Sequence, residues 1–426
     1  MTLVSSRQSE SVAAWSASIS DAEQPQIPYR LGIALCAGVL LWLGPYFGTA
    51  TVLLPGRVAI IDPGNKANII AMLSISAMVV ATVANILIGA LSDLTRSRLG
   101  RRTPWLIAGS VGSAAMLILM GRAESVTMLL VEWCIFQVFL NAIVAPLLAV
   151  ISDRIAPAHR GTISSIYAFG FTLGIYGGQF INARFLGDLS TGFVSMAVLI
   201  LLSGPLAALI MREASSQSMP RRVLNRDMVL DNFSIPRRNA RDYYLALFGK
   251  LMITTATFAI QGYQLFILTD YLKVTQDEVG HQIELISIIL MVTALGMALV
   301  AGPISDKLGR RKGPVALAGL LVAIGALVPF FSTQPWTMLV YALIAGIGSG
   351  IFNSVDQALN VEVLPNAETA AKDLGVLNLA NTGGQILGPA IAAIAISAIG
   401  YQMIFPTVAV VALIGVAMIA MIRSVR

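Results

Sequence analysis

The sequence predicts an all-α membrane protein, with twelve transmembrane helices arranged as two pseudo-symmetric bundles of six. Three observations predict it. Of 426 residues, 56% are apolar and only 12% charged, with a mean hydropathy of +0.79, whereas soluble domains carry about 25% charged residues. The apolar residues gather into stretches long enough to cross a bilayer, which takes about 20 residues each. Finally, a charged string recurs half a chain apart, as "SDLTRSRLGRRTPW" at 92–105 and "AGPISDKLGRRKGP" at 301–314.

In chain order, the first six spans are read at 31–54, 67–91, 105–122, 126–152, 162–183 and 192–211. Six more follow at 243–269, 281–303, 314–332, 336–360, 374–396 and 402–422. Glycine and proline inside them, such as Gly44-Pro45 and Gly388-Pro389, are tolerated in a bilayer because neighbouring helices re-satisfy the freed backbone groups. Residues 1–28 are polar and serine-rich and lack the parts of a signal peptide, so a disordered cytoplasmic tail is expected. Residues 29–211 and 243–426 then form the two bundles. The stretch between them, 212–242, carries seven arginines and four acidic residues and is expected to lie along the inner membrane surface.

Basic residues concentrate in the cytoplasmic loops of membrane proteins. Placing the N-terminus inside puts 22 Lys and Arg in cytoplasmic segments and five outside, namely Arg57, Lys66, Arg122, Arg184 and Lys273. Both termini are therefore expected on the cytoplasmic side of the inner (plasma) membrane. The net charge of +6 reflects this asymmetry and argues against a nucleic-acid partner. Cys36 and Cys134 fall inside spans, and the two histidines are His159 and His281, so neither a disulfide framework nor a metal site is implied. With no G-x-S-x-G or nucleotide loop, the sequence reads as neither an enzyme nor a cofactor protein.

The recurring strings share a glycine, two residues, Ser-Asp and then Leu-Gly-Arg-Arg, and Asp93 and Asp306 lie 213 residues apart. Weaker echoes are "SDRIAPAHRG" at 152–161 against "NVEVLPNAETAAKD" at 360–373, and "GIYGGQ" at 174–179 against "GGQILGPA" at 383–390. Two halves of one topology are implied, related by an axis along the membrane normal. An aspartate at a helix end is also suited to cap the N-terminus of a neighbouring helix.

The doubled string resembles the loop signature of the major facilitator superfamily, over essentially all of residues 30–422. Its longer first copy looks like that of the sucrose- and glycoside-type cation symporters. "DRIAPAHRG" is similar to the sugar-porter signature, with Asp153 and Arg160 at the matching places. The resemblance implies that such an aspartate docks on helix 11 or 5 of the opposite half and latches an outward-facing state. Carried over, one latch is Asp93, Arg101 and Arg102, with Asp153 and Arg160 nearby, and the other is Asp306, Arg310 and Arg311.

Polar residues in a span are costly unless they face a cavity or a partner. In span 7, Lys250, Thr254, Thr257, Gln261 and Gln264 recur on one helical face. Span 11 offers Asn378, Thr382 and Gln385, span 10 Asn353 and Gln357, and span 4 Trp133, Gln137 and Asn141. Spans 1 and 5 add Trp42, Tyr46, Tyr176 and Gln179. Amides beside aromatic faces suit a neutral polyhydroxyl ligand, although core packing would explain the aromatics equally well. Of the intramembrane ionisable groups, Glu132, Lys250 and Asp356 are the candidates for ion coupling, with Glu132 the first choice for a proton carrier.

Span 2 has no carboxylate, where melibiose-type sodium symporters place their cation ligands, so proton coupling or uniport is expected instead. The function read from the sequence is proton-coupled symport of a small polar solute, a sugar or glycoside, by a monomer in the lipid bilayer. The alternatives are proton-driven efflux of amphipathic compounds and a non-transporting assembly factor or sensor.

Overall fold

A computed structural model describes residues 19–218, 240–365 and 370–425. Its membrane helices are α1 (Tyr29–Ile61), α2 (Lys66–Leu94), α3 (Thr103–Met120), α4 (Val126–Arg154), α5 (Pro157–Ala183), α6 (Leu189–Met211), α7 (Arg241–Tyr271), α8 (Gln276–Leu308), α9 (Lys312–Phe331), α10 (Trp336–Glu362), α11 (Ala370–Ala398) and α12 (Tyr401–Ala420). Eleven are long and apolar enough to cross a bilayer. The remaining one, α5, is diluted by glycine, serine and threonine, and it lies between α1 and α8.

The expected and observed spans correspond one to one, and the differences lie at the ends. α5 starts at Pro157 instead of 162, because a proline is at home in a helix's first turn, where its missing N–H is not needed. Asp93 and Asp306 belong to the last turns of α2 and α8, not to the loops. Of the expected tail, residues 1–18 lie outside those described, as do 219–239 of the stretch joining the halves.

The helix packing repeats with an offset of six. α1 packs on α5 and α6, α2 on α4, and α3 on α4 and α6. Likewise α7 packs on α11 and α12, α8 on α10, and α9 on α10 and α12. The halves meet along α5 with α8 and along α2 with α11, a pair of contacts that exchanges into itself under the same offset. α1 and α7 each carry a π-helical turn, at Thr49–Leu53 and Ile267–Tyr271. Such turns occur mostly at functional sites.

Without a hydrophobic force between helices in lipid, close packing depends on small residues. At the α1–α5 crossing, a Cβ on Gly178 would stand 2.1 Å from the carbonyl oxygen of Gly44. At the matching α7–α11 crossing, a Cβ on Gly388 would stand 2.8 Å from the backbone of Ala259. Side chains at these positions would push the helices apart, and overpacking costs about 1–3 kcal/mol. We therefore expect Gly178→Val to lower the thermal unfolding midpoint in detergent micelles by several degrees. An unchanged midpoint would contradict this reading of the crossing.

Candidate functional site

Between the halves lies a cavity of about 360 Å³. α1 contributes Trp42, Tyr46 and Phe47, α4 contributes Gln137 and Asn141, and α5 contributes Tyr176. From the other half come Thr254, Thr257, Phe258 and Gln261 of α7, Ser349 and Asn353 of α10, and Asn381, Thr382 and Gln385 of α11. Among the described residues, no charged side chain lines it. Six carboxamides do, and each offers both donors and acceptors.

The wall in the first half is rigid. Tyr46 stacks on Trp133 with ring centroids 5.8 Å apart, and Trp133 stacks on Phe136 at 5.1 Å. Asn141 is fixed by its amide bond to the Gln137 carbonyl at 2.8 Å and by a bond from Asn85 at 3.0 Å. One buried donor in this wall, Trp42 Nε1, has no partner among the described residues. A buried donor without a partner costs about 1–3 kcal/mol, and a ligand acceptor would relieve it.

One end of the cavity is closed in layers. A smaller void of about 60 Å³ shares Tyr46, Phe47, Met78, Phe258, Gln261 and Gln385 with the main cavity, so these side chains form a partition. Across it Tyr46 Oη donates to Gln385 Oε1 at 3.5 Å, and Phe47 faces Phe258 at 6.4 Å between centroids. Farther out, Lys66 pairs with Asp270 at 2.6 Å and lies over the Phe266 ring. Tyr263 donates to the Ala67 carbonyl at 2.7 Å, Arg184 pairs with Glu284 at 2.7 Å, and Ser397 donates to Asn68 at 3.3 Å. Each of these outer contacts joins one half to the other.

At the other face, which carries the arginine-rich loops, the two motif clusters close within their own halves. Arg102 bridges Asp93 of α2 and Asp153 of α4, and Arg101 reaches Asp153 at 2.6 Å. Arg311 bridges Asp306 of α8 and Glu362 of α10, and the hydrogen bond it donates to Asp306 is the main cause that raises its guanidinium above the usual range. Each arginine also donates to the serine before the aspartate, Ser92 or Ser305. The motif glycines, Gly100 and Gly309, have φ of +93° and +59°. Only glycine adopts such angles readily.

Two residues of the expected latches lie elsewhere. Arg160 donates to the carbonyls of Ile155 and Ser152 at the end of α4, and not to a carboxylate. Carbonyls left open at a helix C-terminus attract a guanidinium in this way. Arg310 is exposed, while its neighbour Arg311 takes the ion pairs. Glu362 and Glu213 were missed. The Glu213 carboxylate accepts from the backbone N–H groups of Arg101 and Arg102 and from Thr103, capping α3 from beyond α6. No string signals that contact, because it joins residues more than 100 positions apart.

The expected solute residues divide similarly. Tyr46, Gln137, Asn141, Thr257, Gln261, Asn353 and Gln385 line the cavity. Gln179 and Gln264 are buried off it, and Gln357 and Asn378 are exposed outside its lining. Ser349 and Asn381 line it unforeseen, since a lone polar residue makes no stripe.

Of the ionisable residues, Glu132 is buried next to Trp133, its Oε2 has no partner, and Arg57 is the cation acting on it. Lys250 and Asp356 form a buried pair at 2.6 Å, and Asn360 also donates to Asp356, at 2.9 Å. This pair ties α7 to α10 and does not line the cavity.

A helical membrane protein whose two matching halves enclose a polar cavity, sealed toward one face, has the architecture of a solute transporter. The chain belongs to the Major Facilitator Superfamily, whose model matches residues 27–280 and 247–426. Inositol transporter 4 of Arabidopsis thaliana is 33% identical over 140 residues, which are 32% of this chain and 23% of that protein. The D-xylose transporter of Levilactobacillus brevis is 30% identical over 126 residues, 29% of this chain and 26% of that one. The chain thus matches about a quarter of each relative's length. The fold is similar to that of the nucleoside transporter NupG (D323A mutant), with a TM-score of 0.73 and 14% identity over 92% of this chain and 100% of that one. It is also similar to that of a bacterial homolog of the human lysosomal transporter Spinster in an inward-facing, occupied conformation, with a TM-score of 0.67 and 16% identity over 93% and 97%.

Removing one member of a buried ion pair strands the other and costs about 3–5 kcal/mol, whereas replacing both by apolar groups is often neutral. Asp356→Ala should therefore markedly reduce the yield of folded protein and its unfolding temperature, and Lys250→Met with Asp356→Leu should recover most of the loss. Single and double variants of equal stability would refute the pairing as a structural tie.

Proposed function

We propose that this chain is a secondary active transporter of a small neutral polyhydroxylated solute, a sugar or glycoside, working by alternating access as a proton symporter. The observation that carries the reading is the uncharged cavity, with six carboxamides beside a stacked aromatic wall. Hydroxyls need donor and acceptor together, and a sugar's flat C–H face packs on aromatic rings. An anionic solute would find no counter-charge there. The printed names of the relatives, inositol and D-xylose transporters, favour the same class of solute.

The basic face is the cytoplasmic one by the distribution of Lys and Arg, with both termini on that side of the inner (plasma) membrane. The conformation is then inward-facing, with the outer side held by Lys66–Asp270 and Arg184–Glu284. In the opposite conformation the two motif aspartates serve as latches. Gly280 of α8 lies against the Ala183 carbonyl of α5 at the outer end. From that contact Asp306 (280 to 306) and Pro157 (183 to 157) are the same 26 residues away, or about 39 Å along each helix. Asn68 and Ser397 bring Asp93 level with the first turn of α11 by the same count. Closing the inner side would thus carry each aspartate to a helix N-terminus of the other half, where a negative charge is favoured.

Glu132 is the proton carrier in this reading. It is buried with a free oxygen, close to the cavity wall, whereas Lys250 and Asp356 neutralise each other. The path lies within one chain, so a monomer suffices.

Uptake by proteoliposomes tests the reading with radiolabelled monosaccharides, glycosides, inositol and nucleosides, with and without a pH gradient. Saturable accumulation of a polyhydroxylated solute, driven by inside-alkaline pH, is the expected result. Gln261→Leu should lower kcat/KM by about 5- to 150-fold, matching an unpaired solute hydroxyl at about 1–3 kcal/mol. Glu132→Gln should abolish accumulation above equilibrium while sparing solute exchange. Export of lipophilic dyes with no sugar uptake would overturn the solute class. Gradient dependence that survives Glu132→Gln would remove the proton role of that residue.

A further inference from the structure

α5 has no cap of its own. Its N-cap position is Ala156, which has no side-chain acceptor, and Pro157 follows. By contrast α4 and α6 are capped by Ser125 and Asp188. The missing acceptors come from the segment before α1. Asp21 Oδ1 accepts from the Ala158 N–H at 3.0 Å, and Gln24 Oε1 accepts from the Ala156 N–H at 2.9 Å. The Gln24 amide also donates to the Arg154 carbonyl at 3.2 Å, and its own carbonyl oxygen lies 2.9 Å from His159 Nε2. The segment is a closed turn in its own right. Ser20 donates through N and Oγ to Glu23, and the N–H groups of Glu23 and Gln24 return to the Ser20 carbonyl.

This is the helix end that comes level with Asp306 along the antiparallel α5–α8 pair. In the present conformation Asp306 is exposed and held only through Arg311. One set of unpaired N–H groups thus has two carboxylate claimants, one on the tail and one on the opposite half, and it cannot serve both at once.

We propose that residues 20–24 act as a conformational brake: by occupying the N-terminus of α5 they hold the chain inward-facing, and they must leave before Asp306 can latch the inner side shut. The proposal rests on the alternating-access reading above. A ligand that binds one conformation shifts the population toward it by its differential affinity, and here the ligand is the chain's own tail, present at high effective concentration because it is covalently joined.

The test uses the full chain in lipid nanodiscs, with Cys36 and Cys134 replaced by Ala and spin labels placed at Arg98→Cys, on the exposed loop after α2, and at Lys307→Cys, on the exposed last turn of α8. Pulsed electron resonance then reads the distribution of distances between them. Asp21→Ala with Gln24→Ala should enlarge the short-distance, inner-closed population by roughly fivefold, the factor one net hydrogen bond commands. In an Asp306→Ala background the same pair should have no effect, because the competing acceptor is gone. An unchanged distribution in the first case overturns the proposal, and so does an equal shift in the second. The measurement needs neither solute nor gradient, so its failure is separable from failure of the transport reading.

Discussion

The molecule is organised by the cost of placing charge in hydrocarbon, about 2.5–3.5 kcal/mol for an ionisable side chain at the centre of a bilayer. Ionisable side chains accordingly gather at the two faces or are paired when buried, as Lys250–Asp356 is, with Glu132 the buried exception. The centre is left to carboxamides, hydroxyls and rings. Amides can be both hydrated and buried without a change of protonation, so they suit a cavity that alternates between water and occupant. The ion pairs that cross between the halves, Lys66–Asp270 and Arg184–Glu284, each join two helices and add little stability alone.

The pseudo-symmetry explains why the parts come in twos. The same Ser-Asp, loop arginine and helix-end carboxylate recur as Ser92, Asp93, Arg102 and Asp153, and as Ser305, Asp306, Arg311 and Glu362. Each cluster ties three helices of its own bundle. The halves are not equal, however. Glu213 fastens the first motif loop to the end of α6, while the corresponding stretch after α12, around Arg423 and Ser424, donates its N–H groups to Asp242 at the start of α7. The second motif region is tied differently, by Lys312 donating to the Ile422 carbonyl at 2.8 Å.

The helices were legible because hydropathy acts residue by residue and a bilayer imposes a minimum length. The repeat was legible because Gly100 and Gly309 need angles that few residues tolerate, which preserves a recognisable string. The site was readable only in part. Thr257 and Gln261 follow from helical spacing, but spacing cannot say where along a stripe the cavity stops, so Gln264 fell off one end and Lys250 found Asp356 at the other. Contacts between distant segments, such as Glu213 with α3 and Asp21 with α5, have no local signature. They exist because a helix end lacks a cap, and the sequence at Ala156-Pro157 records that lack without naming the residue that fills it.

The uncharged cavity wall has a consequence for the membrane itself. A protein that opens a watery vestibule deep into the bilayer risks giving inorganic ions a shortcut, and every such leak drains the gradient on which the cell runs. An ion entering this chamber would have to shed hydration for amide dipoles alone, with no opposite charge to receive it. Among the described residues, the lining that would suit a neutral solute thus gives an inorganic ion no opposite charge to settle on.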